Sequence, residues 1–209
     1  MEGDRFVYVD TETTDVKPGQ IAQLAYIIAD AEGTVEEARN LYFSVGLMSP
    51  GAEAIHHLSP AVLKGLSQGR HFGDCIEEMF DAWFSDAVFV AHNVPFDLKF
   101  VRAELSRCGF PTHMPRTLCT MQAMTPICKL KGVYGKYKWP KVEEALKVAG
   151  VPKERVLATA STLFITDPEK EPQYPTLGFH DARFDVTAVY LLHRWLIERQ
   201  INRELHQAE

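Results

Sequence analysis

Residues 6–14 read FVYVDTETT, an apolar run of strand-forming side chains that ends in two carboxylates. Alternate residues of an extended chain point to the same side, so Asp10 and Glu12 aim both carboxylates at one point. Adjacent carboxylates repel each other unless one holds its proton or a cation lies between them. A hard divalent cation such as Mg²⁺ prefers oxygen ligands of this kind. The stretch predicts a buried central strand with a cation site at its end, whereas an isolated Asp-x-Glu is more often a solvated turn.

The composition is that of a globular protein large enough to form its own core. The 209 residues are 46% apolar and 24% charged, which suits one large domain or two small ones. The formal net charge of −6 argues against a protein that coats nucleic acid with its whole surface, but it leaves room for a local basic groove. The four cysteines form no CxxC pair and predict free thiols in a reducing compartment. Without a signal peptide or a segment of transmembrane length, the sequence predicts a soluble cytoplasmic protein with no membrane contact.

The order of the predicted elements favours a mixed α/β fold. Three strand-like runs with short connections, at 5–9, 21–29 and 39–45, predict an antiparallel meander. Helices and short strands then alternate, and a long amphipathic helix is predicted from 180 to 204. We therefore expect a mixed sheet, meander plus parallel strands, that is flanked by helices.

The whole chain, residues 1–209, is predicted to form a single domain, because it contains no internal repeat and no clear change of composition. Four prolines between residues 152 and 175 predict a proline-rich loop insertion at about 151–177. The alternatives for this loop are a lid that orders on substrate binding, a partner-docking loop and plain surface.

Two further carboxylates and one histidine stand at the edges of predicted elements. Asp97 lies in the first turn of a helix that follows a short apolar strand. The ordinary role of an acid there is a favourable interaction with the positive end of the helix dipole. Asp185 lies among apolar neighbours on the inner face of the last helix, and a buried carboxylate there is costly unless it is paired or binds a metal. His180 begins that helix, where a lone histidine is more often a cap or a surface residue.

Taken together, these residues form three motifs in a fixed order. The motifs are Asp10-x-Glu12, His92-Asn93-x-x-Phe96-Asp97 and His180-Asp181-Ala182-x-x-Asp185. In this arrangement the chain resembles the DEDDh family of 3′→5′ exonucleases, which includes polymerase proofreading subunits, RNase T-like enzymes and oligoribonucleases. The resemblance runs from about residue 5 to about residue 199 and implies a ribonuclease H-like fold and a phosphodiester-hydrolysing enzyme. A related subclass carries a tyrosine where this chain has Asp181, so the histidine subclass is implied.

The resemblance assigns a role to each residue of these motifs. It implies that Asp10, Glu12 and Asp185 bind a first Mg²⁺ or Mn²⁺ ion directly. It further implies that Asp10 bridges to a second ion, where Asp97 acts mostly through water. Phosphodiester hydrolysis needs an activated water, neutralised phosphate charge and a stabilised leaving oxygen, which two cations about 3.5–4 Å apart supply. His180 would be the general base, since an unperturbed imidazole has a pKa of about 6.5.

The resemblance also places four residues where relatives contact the terminal nucleotide, namely Thr13, Leu24, His57 and Phe96. Core packing is an equal alternative for Leu24 and Phe96, and Thr13 is also typical of a turn. In the second predicted strand, Gln23 stands where the family often has an acid, which predicts an altered contact with the end nucleotide.

Residues 129–141 read KLKGVYGKYKWPK and are the only strongly basic stretch of this acidic chain. The stretch interleaves five lysines with three aromatic residues, and cationic side chains beside stacking platforms suit single-stranded nucleic acid. We therefore predict substrate contacts by Lys136, Tyr137 and Lys138. The alternative is a solvated loop whose aromatic residues anchor it to the core.

The sequence thus predicts an enzyme that uses Mg²⁺ or Mn²⁺ and removes nucleotides from free 3′ ends. Its substrate would be single-stranded or frayed DNA or RNA, and its products nucleoside 5′-monophosphates. Two alternatives remain open, a catalytically silent module of the same fold that docks nucleic acid or a polymerase, and an oligoribonuclease-like enzyme confined to short oligonucleotides. A homodimer or a polymerase-type partner is expected only by analogy with the family.

Overall fold

A mixed sheet organises the part of the chain that the computed structural model describes, which is residues 4–17, 19–79, 82–83, 85–112, 115–164 and 176–207. The strands are β1 (Phe6–Thr13), β2 (Ile21–Ala29), β3 (Val35–Tyr42), β4 (Val88–Ala91) and β5 (Thr117–Cys119). Within these residues the sheet has five strands in the order β3-β2-β1-β4-β5. Strand β1 pairs antiparallel with β2 and parallel with β4, which confirms the predicted meander plus parallel strands.

Helices cover both faces of this sheet. They are α1 (Pro50–His56), α2 (Pro60–Leu66), α3 (Val94–Arg107), α4 (Thr120–Cys128), α5 (Val142–Ala149), α6 (Lys153–Phe164) and α7 (Ala182–Gln207). Two short 3₁₀ turns, Phe72–Cys75 and Glu77–Met79, lie between α2 and β4. Among the described helices, none combines the length and the apolar character that crossing a bilayer requires.

The alternation of side chains along β1 sends its residues into two different layers. Tyr8 packs in the core cluster that includes α7, and Val9 packs in the cluster that includes α3. Asp10 and Glu12 have the same parity as Tyr8, so they point to the α7 side of the sheet. Thr11 has the parity of Val9 and points towards α3. The central strand therefore directs Asp10 and Glu12 towards α7 and the hydroxyl of Thr11 towards α3.

A buried polar pair holds α7 against β1. The hydroxyl of Tyr8 lies 2.8 Å from Nδ1 of His193, and the ring of Phe6 meets the His193 ring edge-on at 4.8 Å between centroids. Burial lowers the pKa of His193 to about 4, so this imidazole is neutral. Asp185 lies about two turns earlier in α7, so these contacts help to fix the position of its carboxylate.

One prediction about the second half of the chain is wrong. Helix α6 occupies Lys153–Phe164, inside the segment at about 151–177 that was predicted to be a proline-rich loop. These residues contain no proline, and Val156 and Ala160, four positions apart, are both buried. Val156 packs in the same cluster as Phe184 of α7. The rest of the predicted loop, residues 165–175, lies outside the described residues.

Candidate active site

A cavity of about 370 Å³ opens at the end of β1. Its walls come from β1, the end of β4, the first turn of α3, the start of α5 and the segment before α7. The cavity contains all five residues predicted to be catalytic, which are Asp10, Glu12, Asp97, His180 and Asp185. Acids that are far apart in sequence therefore share one pocket, as the motifs predicted.

The surroundings of Asp10 and Glu12 in the cavity raise the pKa values of both carboxyls. Burial is the main cause that raises the pKa of each carboxyl well above its usual range. The negative charge of Asp185 is the next cause for both groups, and the charge of Asp97 adds to it. Each carboxyl therefore keeps its proton to a higher pH than an ordinary Asp or Glu side chain does.

Asp97 is held in place by Thr11, which lies on the face of the central strand opposite to Asp10 and Glu12. Its Oδ1 accepts hydrogen bonds from the backbone N–H and the hydroxyl of Thr11, at 3.1 and 2.9 Å. Burial raises the pKa of Asp97 to about 7, while the hydrogen bonds from Thr11 oppose that shift. The turn after β4 begins α3 at Val94, with Pro95 in its first turn, and so directs Asp97 towards β1.

His180 and Asp185 meet at the start of α7. The backbone N–H of His180 donates to Oδ2 of Asp185 at 2.8 Å, and burial raises the pKa of Asp185 to about 7. His180 is exposed and has a left-handed backbone with φ of 65°. Non-glycine residues rarely adopt this conformation, which is enriched at functional sites. The conformation holds the imidazole outside the helix, beside the acids.

The donor set fits a hard divalent cation. Ligand atoms of Glu12, His180 and Asp185 lie within 4.8 Å of one another, and Asp10 and Asp97 line the same cavity. Carboxylate oxygens are the ligands that Mg²⁺ and Mn²⁺ favour. Because the pKa values of four neighbouring carboxyls are raised, a cation would displace protons on binding and relieve the repulsion.

Gln23 links the second strand to the start of α7. It is buried and lies opposite Glu12 in the β1–β2 ladder. Its Nε2 donates to Oδ1 of Asp181 at 3.1 Å, and its Oε1 accepts from the backbone N–H of Ala182 at 3.3 Å. Asp181 also forms a buried ion pair with Arg183, with 2.6 Å between Oδ2 and Nη2. The amide of Gln23 therefore contacts protein groups, and it positions the start of α7.

We expect Gln23→Glu to destabilise the chain at neutral pH and to lower kcat. The substitution replaces an N–H donor by a carboxylate next to the buried carboxylate of Asp181. Losing a hydrogen bond to a charged group costs about 1.5–3 kcal/mol of the free energy of unfolding, and like-charge repulsion adds to that loss. A new carboxyl that holds its proton donates again, so the loss should shrink as pH falls. Chemical denaturation at several pH values measures this, with the exposed Gln122→Glu as the matched control.

The structure places the four residues that were predicted to contact the terminal nucleotide in different environments. Among these four described residues, only Phe96 lines the cavity. Leu24 has no exposed surface and packs in the core, so its predicted substrate contact is wrong and the packing alternative is confirmed. Thr13 is buried, and its hydroxyl donates to the backbone carbonyl of Asp15 at 2.9 Å, as a turn residue would. His57 is exposed and ends α1 with φ of 61°.

The structure adds His92, which the sequence placed in a motif without a role. Its Nε2 donates to the backbone carbonyl of Pro140 at 2.9 Å, and its Nδ1 lies 3.0 Å from the hydroxyl of Thr120. A carbonyl only accepts, so the proton is on Nε2 and Nδ1 accepts from Thr120. Burial lowers the pKa of His92 and favours this neutral form. His92 thereby fixes the segment that brings Lys141 to the cavity wall.

The mixed sheet and the carboxylate-lined cavity at the end of its central strand together define a nuclease domain of the ribonuclease H-like type. The chain matches the model of the RNase_T exonuclease family over residues 7–153, and it belongs to that family.

Relatives by sequence carry exonuclease or polymerase-subunit names. The 3'-5' exonuclease DinG of Bacillus subtilis (strain 168) is 30% identical over 185 residues, which cover 85% of this chain and 19% of DinG. The DNA polymerase III subunit epsilon of Treponema pallidum (strain Nichols) is 30% identical over 105 residues, which cover 49% of this chain and 47% of that subunit. The chain thus spans about a fifth of the first relative and about half of the second.

Solved structures share the fold at lower identity. Escherichia coli Exonuclease I in complex with a 5cy-dT13 oligonucleotide matches with a TM-score of 0.70 at 18% identity, over 96% of this chain and 41% of that chain. Exonuclease I from Methylocaldum szegediense matches with a TM-score of 0.69 at 20% identity, over 94% of this chain and 41% of that chain. This likeness confirms the predicted ribonuclease H-like fold.

Proposed function

We propose that this chain is a divalent-cation-dependent 3′→5′ exonuclease that acts on single-stranded or frayed DNA or RNA ends and releases nucleoside 5′-monophosphates. The observation that supports this most is the convergence of four carboxylates from β1, α3 and α7 in one cavity, with His180 beside them. Membership of the RNase_T family and the name of the Bacillus relative support the 3′→5′ direction.

The size of the cavity supports action on chain ends. At about 370 Å³ it lies near the lower limit of the range for small-ligand pockets, which is about 300–1,000 Å³. A pocket of this volume suits one terminal nucleotide. The proposal is therefore that a duplex end frays before its last nucleotide enters.

Each acid has a role in this proposal. Asp10, Glu12 and Asp185 would hold a first cation, Mg²⁺ or Mn²⁺. Asp10 and Asp97, which is itself held by Thr11, would hold a second cation, with Asp97 acting mostly through water. Two cations, when bound, would neutralise phosphate charge and make water a stronger nucleophile near neutral pH.

His180 accepts the proton of the attacking water at an imidazole nitrogen and returns it to solvent. Its exposed position at the cavity permits both steps. The hydrogen bond from its backbone N–H to Oδ2 of Asp185, at 2.8 Å, holds the imidazole next to the acids.

An assay with 5′-labelled single-stranded dodecamers of DNA and RNA tests the reaction. We expect a ladder that shortens from the 3′ end in Mg²⁺ or Mn²⁺, release of nucleoside 5′-monophosphates, and no cleavage with a chelator. A 3′-phosphate block should protect the strand, and a circular single strand, which has no end, serves as the control. Cleavage of the circle would contradict the exonuclease assignment.

The same assay separates the two alternatives. A silent binding module would bind the strands and release no nucleotide under any condition. An oligoribonuclease-like enzyme would hydrolyse strands of two to four nucleotides and leave the dodecamers nearly intact. The intact set of acids in the cavity favours an active enzyme over the silent module.

A further inference from the structure

Residues 130–139, the aromatic hairpin, form a folded arm beside the cavity. Lys131 pairs with Tyr137 as antiparallel neighbours, and the backbone N–H of Gly132 donates to the carbonyl of Lys136 at 3.0 Å. Tyr134 and Gly135 both have positive φ, 54° and 72°, which is the pattern of a tight type I′ turn. A Cβ on Gly132 would lie 2.6 Å from the carbonyl oxygen of Lys136, so only glycine lets the two arms close.

The aromatic side chains of this hairpin face solvent. Tyr134 is 98% exposed, Trp139 is 65% exposed and Tyr137 is 50% exposed. The alternative in which these residues anchor the loop to the core is therefore wrong. Three large exposed rings within one short arm are costly in water and are typical of a binding surface.

The two faces of the hairpin differ in charge and in partners. Alternate residues of an extended arm share a face, so Tyr137 and Trp139 lie on one side, with Lys131 directly opposite Tyr137. Lys138 lies on the other side, where its Nζ contacts Glu144 of α5 at 2.6 Å. The predicted substrate contact of Lys138 is thus weakened by an acidic partner, whereas the described residues give Lys131 and Lys136 no ion pair.

The aromatic face leads directly into the cavity. The backbone carbonyl of Pro140, at the foot of the arm, accepts the hydrogen bond from His92 at 2.9 Å. The next residue, Lys141, lines the cavity together with His92 and Asp97. A strand whose 3′ nucleotide occupies the cavity can therefore lay its preceding bases along Trp139 and Tyr137.

We propose that Lys131, Tyr137 and Trp139 form a stacking platform for the single strand that precedes the terminal nucleotide. This rests on the proposed exonuclease function and makes its substrate a strand of several nucleotides. Bases stack on aromatic rings with little sequence preference, and lysine contacts the phosphates between them. The substrate class is therefore single-stranded nucleic acid of any sequence, selected by length.

The double variant Tyr137→Ser/Trp139→Ser tests the platform, since both side chains are exposed and their loss leaves the core intact. We expect the ratio of kcat/KM for an oligothymidylate dodecamer to that for a thymidine dinucleotide to fall at least about tenfold. Anisotropy of a labelled, 3′-blocked dodecamer in Ca²⁺ should show a Kd weakened by a similar factor. Ile201→Ser, an exposed apolar change about 28 Å along α7 from Ala182, is the control.

The outcomes distinguish the platform from the proposed function. If the unaltered chain hydrolyses neither these substrates nor the matched oligouridylate pair, the proposed function fails. If it hydrolyses both and the double variant keeps the ratio and the Kd within about twofold, the platform fails. A change in oligomeric mass on sedimentation, with unchanged strand affinity, would assign the aromatic face to contact between chains and would overturn the proposal.

Discussion

Replacing Asp10 by asparagine is expected to lower kcat at least about a thousandfold, equivalent to about 4 kcal/mol of activation free energy. Under the proposed mechanism Asp10 would bind both cations, so its loss would affect phosphate neutralisation and water activation together. Asparagine keeps the shape of the side chain, so the β1–β2 ladder should persist. Steady-state hydrolysis of a labelled single strand in Mg²⁺ measures the effect, and Asp86→Asn, an exposed acid outside the cavity, is the matched control.

The same variant should change how stability depends on pH and cations. Burial raises the folded-state pKa of Asp97 and Asp185 from 3.8 to about 7, so the folded chain binds more protons than the unfolded chain between these values. The cation-free chain therefore loses stability as pH rises from about 4 to about 7. Asp10→Asn removes one carboxyl whose pKa burial raises on folding, so the variant should lose less stability over that range, and Mg²⁺ should raise its melting temperature less. Equal stabilisation of both proteins by Mg²⁺ would contradict a shared-ligand role for Asp10.

Replacing His180 by asparagine is expected to lower kcat by about 10²–10⁴-fold, the usual contribution of a general base. Asparagine tolerates the left-handed backbone of this position better than most residues, and it cannot take up the proton of the attacking water. The backbone bond to Asp185 remains, so cation binding should persist. A structural role would lower the melting temperature together with kcat, whereas loss of the base should lower kcat and leave the melting temperature unchanged.

The control for His180 is His71→Asn, which removes an exposed imidazole whose Nδ1 lies 2.7 Å from the carbonyl of Ser44. Melting in the presence and absence of Mg²⁺ shows whether the cation still binds to each variant. A kcat within about threefold of the unaltered chain would remove His180 from the mechanism, whatever the melting data show.

The structure brings the residues of the motifs to one cavity, and each motif lies next to a clear structural signal. The apolar run before Asp10 ends a strand, and a short apolar strand precedes Asp97. Asp185 interrupts an apolar helix face, which is costly without a partner. The aromatic hairpin was also visible as the one basic stretch, although its fold was not, since the Tyr134–Gly135 turn depends on backbone geometry.

The misses share a different cause. Leu24 and Phe96 have similar apolar side chains, yet one is fully buried and the other lines the cavity, because burial depends on the neighbouring segment. Helix α6 was hidden by the prolines around it, although Val156 and Ala160 have helical spacing. In the sequence Lys138 has no visible acidic partner, whereas in the fold it forms an ion pair with Glu144 of the following helix.

The sequence by itself determined the mixed fold, the family and the set of acids, because apolar periodicity and short motifs are local properties of the chain. Only the tertiary structure decided which side chains share a space. It paired Gln23 with Asp181, bonded His92 to the foot of the hairpin, and left the rings of the hairpin exposed to solvent. These pairings arise between segments far apart in sequence, where distance and burial, and not residue type, set the strength of each contact.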